Sequence, residues 1–153
     1  MRIRNCNRSD VAAMRSFIQN LSPLDLHSAF TYWTIFEYFG DLCFLAEMET
    51  TGQILGIVTG IVSSVKRDTC YLWQLGVNPT FRRTSCAYQL IECLVDAARR
   101  KGCNALQFSI EPSNKLSFNT ANRFAERRGL SLSVVGKVEF YDPAYKKNTH
   151  ETL

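Results

Sequence analysis

At 153 residues with a net charge of +4, the chain has the length of one domain, able to bury roughly 70% of the surface its unfolded form exposes. A composition of 46% hydrophobic and 21% charged residues, with ten phenylalanines to fill a core, excludes a disordered or fibrous protein. The basic residues are dispersed apart from Arg99-Arg100-Lys101, Arg127-Arg128 and Lys146-Lys147, which excludes the dense basic face of a nucleic-acid module. A small polyanionic ligand, or a merely solvated surface, accounts for the charge that remains. No stretch reaches the roughly 18 apolar residues that span a bilayer. The start, Met1-Arg2-Ile3-Arg4-Asn5, lacks the apolar centre of a signal peptide. The six cysteines form no Cys-x-x-Cys pair and have no histidines at ligand spacing, so no metal is expected. Most lie in apolar stretches, where free cysteine packs as a small hydrophobe. The expectation is a reduced, cytoplasmic protein with neither a membrane nor a nucleic-acid partner.

In chain order, residues 3–5 open a short strand. Ser9 offers an N-cap for a helix to about Asn20, with Val11, Met14, Phe17, Ile18 and Leu21 on one face. Ser22-Pro23 breaks it, and residues 25–39 read as an aromatic-rich second helix ended by Gly40. Residues 42–47 form a buried strand, Thr51-Gly52 turns the chain, and residues 53–62 and 69–77 are the next two strands. A long amphipathic helix over about 85–101 follows, with Leu90, Ile91, Leu94, Val95 and Ala98 inward. Then come a strand at 104–110, a break at Pro112, a helix at 114–128 closed by Gly129, a strand at 130–141 and a last strand from Thr149. The order is β-α-α-β-β-β-α-β-α-β-β, without repeat or linker, which makes residues 1–153 a single α/β domain.

The segment from Leu72 to Leu90 carries the chemistry. An apolar strand, Leu72-Trp73-Gln74-Leu75-Gly76-Val77, runs through a turn at Asn78-Pro79-Thr80-Phe81 into Arg82, Arg83, Thr84, Ser85, Cys86 and Ala87. Arginines and small residues leading into a helix N-terminus make a seat for a pyrophosphate. First-turn N–H groups lack intrahelical partners, and the helix dipole favours negative charge there. Arg82-x-x-Ser85-x-Ala87 resembles the acetyl-CoA loop of the GNAT N-acetyltransferases, Gln/Arg-x-x-Gly-x-Gly/Ala, with serine at the preferred glycine. The element order resembles the same family. That resemblance implies a mixed, mostly antiparallel twisted sheet flanked by helices, with a V-shaped splay between its two central strands. It implies acetyl-CoA as co-substrate, held by Leu75, Gly76 and Val77 on the strand edge, by Arg82 to Ala87 in the loop, and by Asn114.

Within the family the chain is most similar to the L-2,4-diaminobutyrate acetyltransferases of ectoine biosynthesis. The resemblance rests on Ser22-Pro23-Leu24-Asp25-Leu26-His27-Ser28, on Phe30-Thr31-Tyr32, on Asp68-Thr69 before Leu72-Trp73-Gln74, on Glu111-Pro112-Ser113-Asn114 with Ser117, on Arg123-Phe124-Ala125, and on His150-Glu151-Thr152-Leu153. Four positions depart from the group's pattern: His27 stands for Asn, Phe30 for Tyr, Arg83 for a common Gly and Ser85 for the loop Gly. Ala121 falls where many relatives carry a tyrosine that protonates the leaving thiolate.

Such a substrate needs a carboxylate for its ammonium group, and the resemblance puts Asp25 there; an N-cap at a helix start is the competing account. Trp73 walls the substrate pocket or packs in the core, Tyr32 donates to the substrate or fills the core with its hydroxyl satisfied, and His27 is a secondary candidate base against a structural, hydrogen-bonded histidine. Glu111 and Glu151 are the candidate bases or water-positioners, against solvated loop glutamates. Three readings follow: an acetyltransferase of 2,4-diaminobutyrate or a close diamino acid, one acting on another small amine, or a degenerate acyl-CoA-binding domain. A homodimer is compatible with all three.

Overall fold

A computed structural model describes residues 1–143 and 147–153 of the chain; Lys146, counted above in a basic pair, lies outside them. The elements are β1 (Arg2–Asn5), α1 (Val11–Gln19), α2 (Ala29–Phe39), β2 (Cys43–Glu47), β3 (Ile54–Val62), β4 (Thr69–Val77), α3 (Cys86–Arg100), β5 (Ala105–Phe108), α4 (Lys115–Arg128), β6 (Lys137–Asp142) and β7 (Lys147–Thr152). Their order is the one the hydrophobic periods predict. Contacts divide the chain into two units, Met1–Leu106 and Gln107–Leu153.

A five-stranded sheet runs in the order β1-β2-β3-β4-β5, antiparallel from β1 to β4 and parallel between β4 and β5. Alternation along β2 builds two cores from one strand. Cys43 and Leu45 join Met14 and Ile18 of α1 with Tyr32 and Phe36 of α2. Phe44 and Ala46 join Leu90, Leu94, Ala97 and Ala98 of α3. Helices α1 and α2 therefore cover one face and α3 the other. The approach of α3 to β3 is close: a Cβ at Gly60 would come within 2.5 Å of Leu94 Cδ1.

Two bulges break the alternation. Ala46 pairs with Gly56 and Glu47 with Ile54, leaving Leu55 as an extra residue. Thr59 pairs with Gln74 and Gly60 with Leu72, leaving Trp73 as another. A bulge lets two consecutive side chains serve one face. Trp73 packs against the α1–α2 core, and Gln74 reaches the same side, hydrogen-bonded to Tyr32.

Two helix starts differ from expectation. Before α1, Asn7 rather than Ser9 is the cap: its Oδ1 accepts the Ser9 N–H at 2.9 Å, while Asp10 Oδ2 accepts the Asn7 N–H at 2.9 Å, a reciprocal pair. Helix α2 begins at Ala29, not at Asp25. Ser28 Oγ accepts the Thr31 N–H at 3.1 Å, and the Asp25 carbonyl accepts from Gln74 Nε2 at 2.8 Å outside the helix.

Charged residues fasten β1 to β2. Arg4 holds Asp10 in a two-pronged pair at 2.8 and 2.7 Å and reaches Glu47 Oε2 at 3.2 Å. Arg2 Nε donates to Glu47 Oε1 at 2.9 Å. The Arg4 guanidinium lowers the Asp10 pKa, and Arg2, with Arg4 behind it, lowers that of the buried Glu47.

In the unit from Gln107, Asn114 Oδ1 caps α4 by accepting the Ser117 N–H at 3.1 Å, and Gly129 ends the helix in the left-handed region. Strands β6 and β7 form an antiparallel hairpin with Lys137 opposite Thr152. The strand expected from residue 130 starts only at Lys137, because that register carries residues 130–134 past the paired stretch of β7. Among the described residues no helix is long and apolar enough to cross a membrane.

Candidate functional site

Gln74 organises the substrate-side candidates. Its side chain is 5% exposed and every polar atom is engaged: Nε2 donates to the Asp25 carbonyl at 2.8 Å, and Oε1 accepts the Tyr32 hydroxyl at 3.3 Å. The Tyr32 oxygen in turn accepts the His27 N–H at 3.4 Å, and Arg15 Nε donates to the His27 carbonyl at 3.0 Å. The main chain over residues 25–27 is thus fixed by two bonds traceable to one carboxamide and by a third from α1. Gln74 was not singled out from the sequence, where it is one more polar residue in an alternating strand. The signal that could have found it is the adjacent Trp73-Gln74 pair, which simple alternation would send to opposite faces.

The four candidates occupy different positions around that frame. Tyr32 is fully buried, its hydroxyl satisfied by Gln74 and His27, and its pKa is raised by desolvation against the opposing pull of those two bonds. His27 lies half-buried on Trp73, ring centroids 4.7 Å apart and planes at 30°, with Tyr32 at 6.1 Å edge-on. Trp73 is half-buried. Asp25 is exposed, and its carboxylate meets no donor among the described residues. Ser28 does the capping, so the N-cap account of Asp25 is withdrawn. The structure brings Asp25, His27, Tyr32 and Trp73 together through Gln74.

On β4, Leu75 and Val77 pack toward α3, and Gly76 lies beneath the loop that carries Asp25. A Cβ at Gly76 would sit 2.7 Å from Leu24 Cδ1 and 2.9 Å from Leu21 Cδ1, so glycine lets that loop close on the strand. After β4, Asn78 Oδ1 accepts the Thr80 N–H at 3.0 Å and starts a single turn, Pro79–Phe81. Arg82 is extended and Arg83 is left-handed at φ 69°. The Thr84 hydroxyl donates to the Phe81 carbonyl at 2.7 Å and accepts the Cys86 N–H at 3.2 Å. Ser85 has φ −74°, so replacing the loop glycine there strains nothing. Cys86 is fully buried, its thiol pushed up to about 11 by desolvation, while Ala87 is half-buried. Arg82, Arg83, Thr84 and Ser85 are exposed, and no described acceptor holds either guanidinium. Two cations without an acceptor among the described residues, beside the start of a fifteen-residue helix, form an anion-binding arrangement. A separate shallow cleft of about 460 Å³ is lined by Ala13, Phe17, Gly52, Gln53, Asn78 and Pro79, and includes none of the expected site residues.

In the second unit, Ile110 and Thr152 exchange both main-chain bonds at 2.9 Å as an antiparallel bridge. Glu111 follows Ile110 and Glu151 precedes Thr152, so the two candidate bases flank that single bridge in the sequence. Glu111 is exposed and its Oε1 accepts the Ser113 hydroxyl at 2.9 Å; Glu151 is half-buried opposite Val138. The Asn114 carboxamide oxygen serves as the α4 cap. Ala121 is half-buried on α4 and carries no proton to give.

Residues 12–130 match the model of the acetyltransferase (GNAT) family. The chain belongs to that family. It is 32% identical over 125 residues to an L-2,4-diaminobutyric acid acetyltransferase of Halomonas elongata, a match covering 82% of this chain and 65% of that protein. The enzyme of the same name from Streptomyces coelicolor is 31% identical over 144 residues, covering 94% and 83%. In three dimensions this GNAT chain superposes with a TM-score of 0.82 on the diaminobutyrate acetyltransferase of Paenibacillus lautus solved with L-2,4-diaminobutyric acid and coenzyme A. At 23% identity over 99% of this chain and 93% of that one, that likeness establishes the fold.

Proposed function

We propose that this GNAT domain, taken as residues 1–153, transfers acetyl from acetyl-CoA to the terminal amine of L-2,4-diaminobutyrate or a close diamino acid, as in ectoine biosynthesis. The observation that carries the proposal is the Asp25 carboxylate, which meets no donor among the described residues and projects from a main chain tied to Gln74, in the same segment as the stacked His27. The relatives' names give the substrate class, and the Arg82–Arg83 loop before α3 supplies the phosphate seat for the coenzyme.

An amine of pKa about 10 must shed a proton before its lone pair can attack. Glu111 and Glu151 are assigned as the acceptor, directly or through a water. The new N–C bond turns the thioester carbonyl into an oxyanion, which a main-chain N–H of β4 stabilises. Collapse then breaks the C–S bond and releases coenzyme A as the thiolate, with no acid supplied by Ala121. The buried Cys86 thiol, held protonated near the coenzyme loop, does not compete for the acetyl group. Six free cysteines, five of them buried, support a reducing cytoplasm as the setting. The reading includes a homodimer, which analytical ultracentrifugation checks.

The left-handed Arg83, where relatives commonly have glycine, favours one second reading, a degenerate domain that binds coenzyme without turnover. Incubation of purified protein with acetyl-CoA and a series of amines separates the two. Thiol release with 2,4-diaminobutyrate, and mass spectrometry placing acetyl on the terminal nitrogen, is the expected result. Acetylation of the α-nitrogen, or equal turnover of simple alkylamines, rejects the anchoring role of Asp25. Coenzyme binding with no release for any amine selects the second reading.

A further inference from the structure

We propose that Gln74 is the positioning residue that sets substrate selection, by fixing the main chain from which Asp25 and His27 project. The inference rests on the acetyltransferase reading for its kinetic consequence, though not for its structural one.

Gln74 is nearly inaccessible, so it does not touch a substrate itself. A buried carboxamide is costly unless all its groups are paired, and here they are, by partners that belong to one short segment. The donor end takes the Asp25 carbonyl directly. The acceptor end takes the Tyr32 hydroxyl, which takes the His27 N–H. One side chain thereby grips both the first and the third residue of the segment carrying the carboxylate and the stacked imidazole. Its own place is fixed by the bulge at Trp73, where the Gln74 N–H donates to Thr59 Oγ1 at 3.2 Å. The same bulge sets Trp73, the platform for His27, beside Gln74. Asp25 itself is exposed and lies in no helix, so its direction depends on these main-chain bonds rather than on secondary structure. The loop without Gln74 keeps Leu21 and Leu24 against Gly76 but loses the register of the carboxylate.

Gln74→Met tests this, since methionine keeps length and volume while deleting both side-chain bonds. The diaminobutyrate KM should rise about tenfold, with the acetyl-CoA KM within about twofold of wild type. A purely structural role would move both constants, or the amount of folded enzyme, together. Hydrogen–deuterium exchange on the same variant gives a readout independent of turnover. Exchange should accelerate in peptides covering residues 21–29 and stay unchanged in β3 and α3. Tyr32→Phe removes only the acceptor-end link and should give a smaller change of the same kind, which keeps the test open if Gln74→Met does not fold. An unaltered diaminobutyrate KM in a folded variant, or a matching rise in both KM values, overturns the proposal. If wild type acetylates no diamino acid, the functional reading fails by itself. The exchange data then still decide the clamp: faster exchange at 21–29 supports it, and unchanged exchange overturns it.

Discussion

Arg83 occupies the left-handed region at φ 69°, a conformation that costs an L-residue roughly 1–2 kcal/mol because its Cβ crowds the neighbouring carbonyl. Arg83→Gly removes that cost. It also adds back chain entropy to the unfolded state, about 0.5–1 kcal/mol in the opposite direction. The net stabilisation is about 0.5–1 kcal/mol, which for a chain near 150 residues raises Tm by roughly 1–4 °C. Arg83→Ala is the matched control: it deletes the same guanidinium and keeps the strained backbone, so it should melt at or below wild type. Both variants lose one of the two exposed cations in the loop, and both should bind coenzyme A about tenfold more weakly, most visibly at low salt. Thermal melts and calorimetric titrations of the three proteins read the two effects separately. Opposite signs in Arg83→Gly, tighter folding with looser binding, would mean the strain is tolerated for the sake of the charge. A glycine variant melting with or below the alanine variant would refute the strain argument, and unchanged affinity in both would remove Arg83 from the phosphate seat.

Asp25→Asn keeps the shape and deletes the charge, so the diaminobutyrate KM should rise at least tenfold while Tm and the acetyl-CoA KM hold; loss of stability with unchanged kinetics would make Asp25 structural. Arg4→Gln should destabilise the protein by about 2–3 kcal/mol, since it leaves Asp10 and Glu47 short of their partner. Both carboxyls have folded pKa values below their unfolded ones, so their stabilisation is present above about pH 4 and is lost as pH falls through the lower folded values. Without Arg4 the folded values rise, and the acid limb of a Tm-against-pH curve should move to higher pH; coincident limbs would count against the pairing.

The element order and the strand-to-helix loop at Arg82 to Ala87 were legible because each rests on local pattern. Period-two runs mark β2 to β4, period 3.6 marks α3, and Arg82 to Ala87 stands between a strand and a helix whatever the rest of the chain does. The start of α2 was not legible. Asp25 and Ser28 are both good caps, and they are told apart only in the folded chain, where Ser28 Oγ accepts the Thr31 N–H and the Asp25 carbonyl is tied to Gln74, almost fifty residues away. Strand 130–141 was overextended because its Leu and Val content resembles pairing, while pairing itself is set by where β7 lies in register. The glycine departures divide in the same way. Ser85 sits at negative φ and costs nothing, and Arg83 sits at positive φ and costs something, yet the two substitutions look alike in sequence.

The bulge in β4 joins the fold to the proposed site. In a regular strand Trp73 and Gln74 would face opposite layers, and one of the two would enter the core of Leu90 and Leu94 under α3. A carboxamide there would find no partner, and an indole would find no room beside a helix that already demands glycine at position 60. The extra residue between the Gly60–Leu72 and Thr59–Gln74 pairs sends both to the α1–α2 side. There the indole supports His27 and the carboxamide holds Asp25 and Tyr32. Leu72 and Leu75, on either side, still reach the α3 core, so the strand keeps its packing. One inserted residue therefore converts an ordinary central strand into a scaffold that presents a carboxylate and an aromatic wall from the same short stretch. Deleting Trp73 would bring Leu72, Gln74 and Leu75 into plain alternation with their pairings to Gly60 and Thr59 unchanged. It should therefore keep the carboxamide at Tyr32 and remove the indole under His27, weakening diaminobutyrate binding more than folding; a variant that fails to fold would count against this account of the bulge.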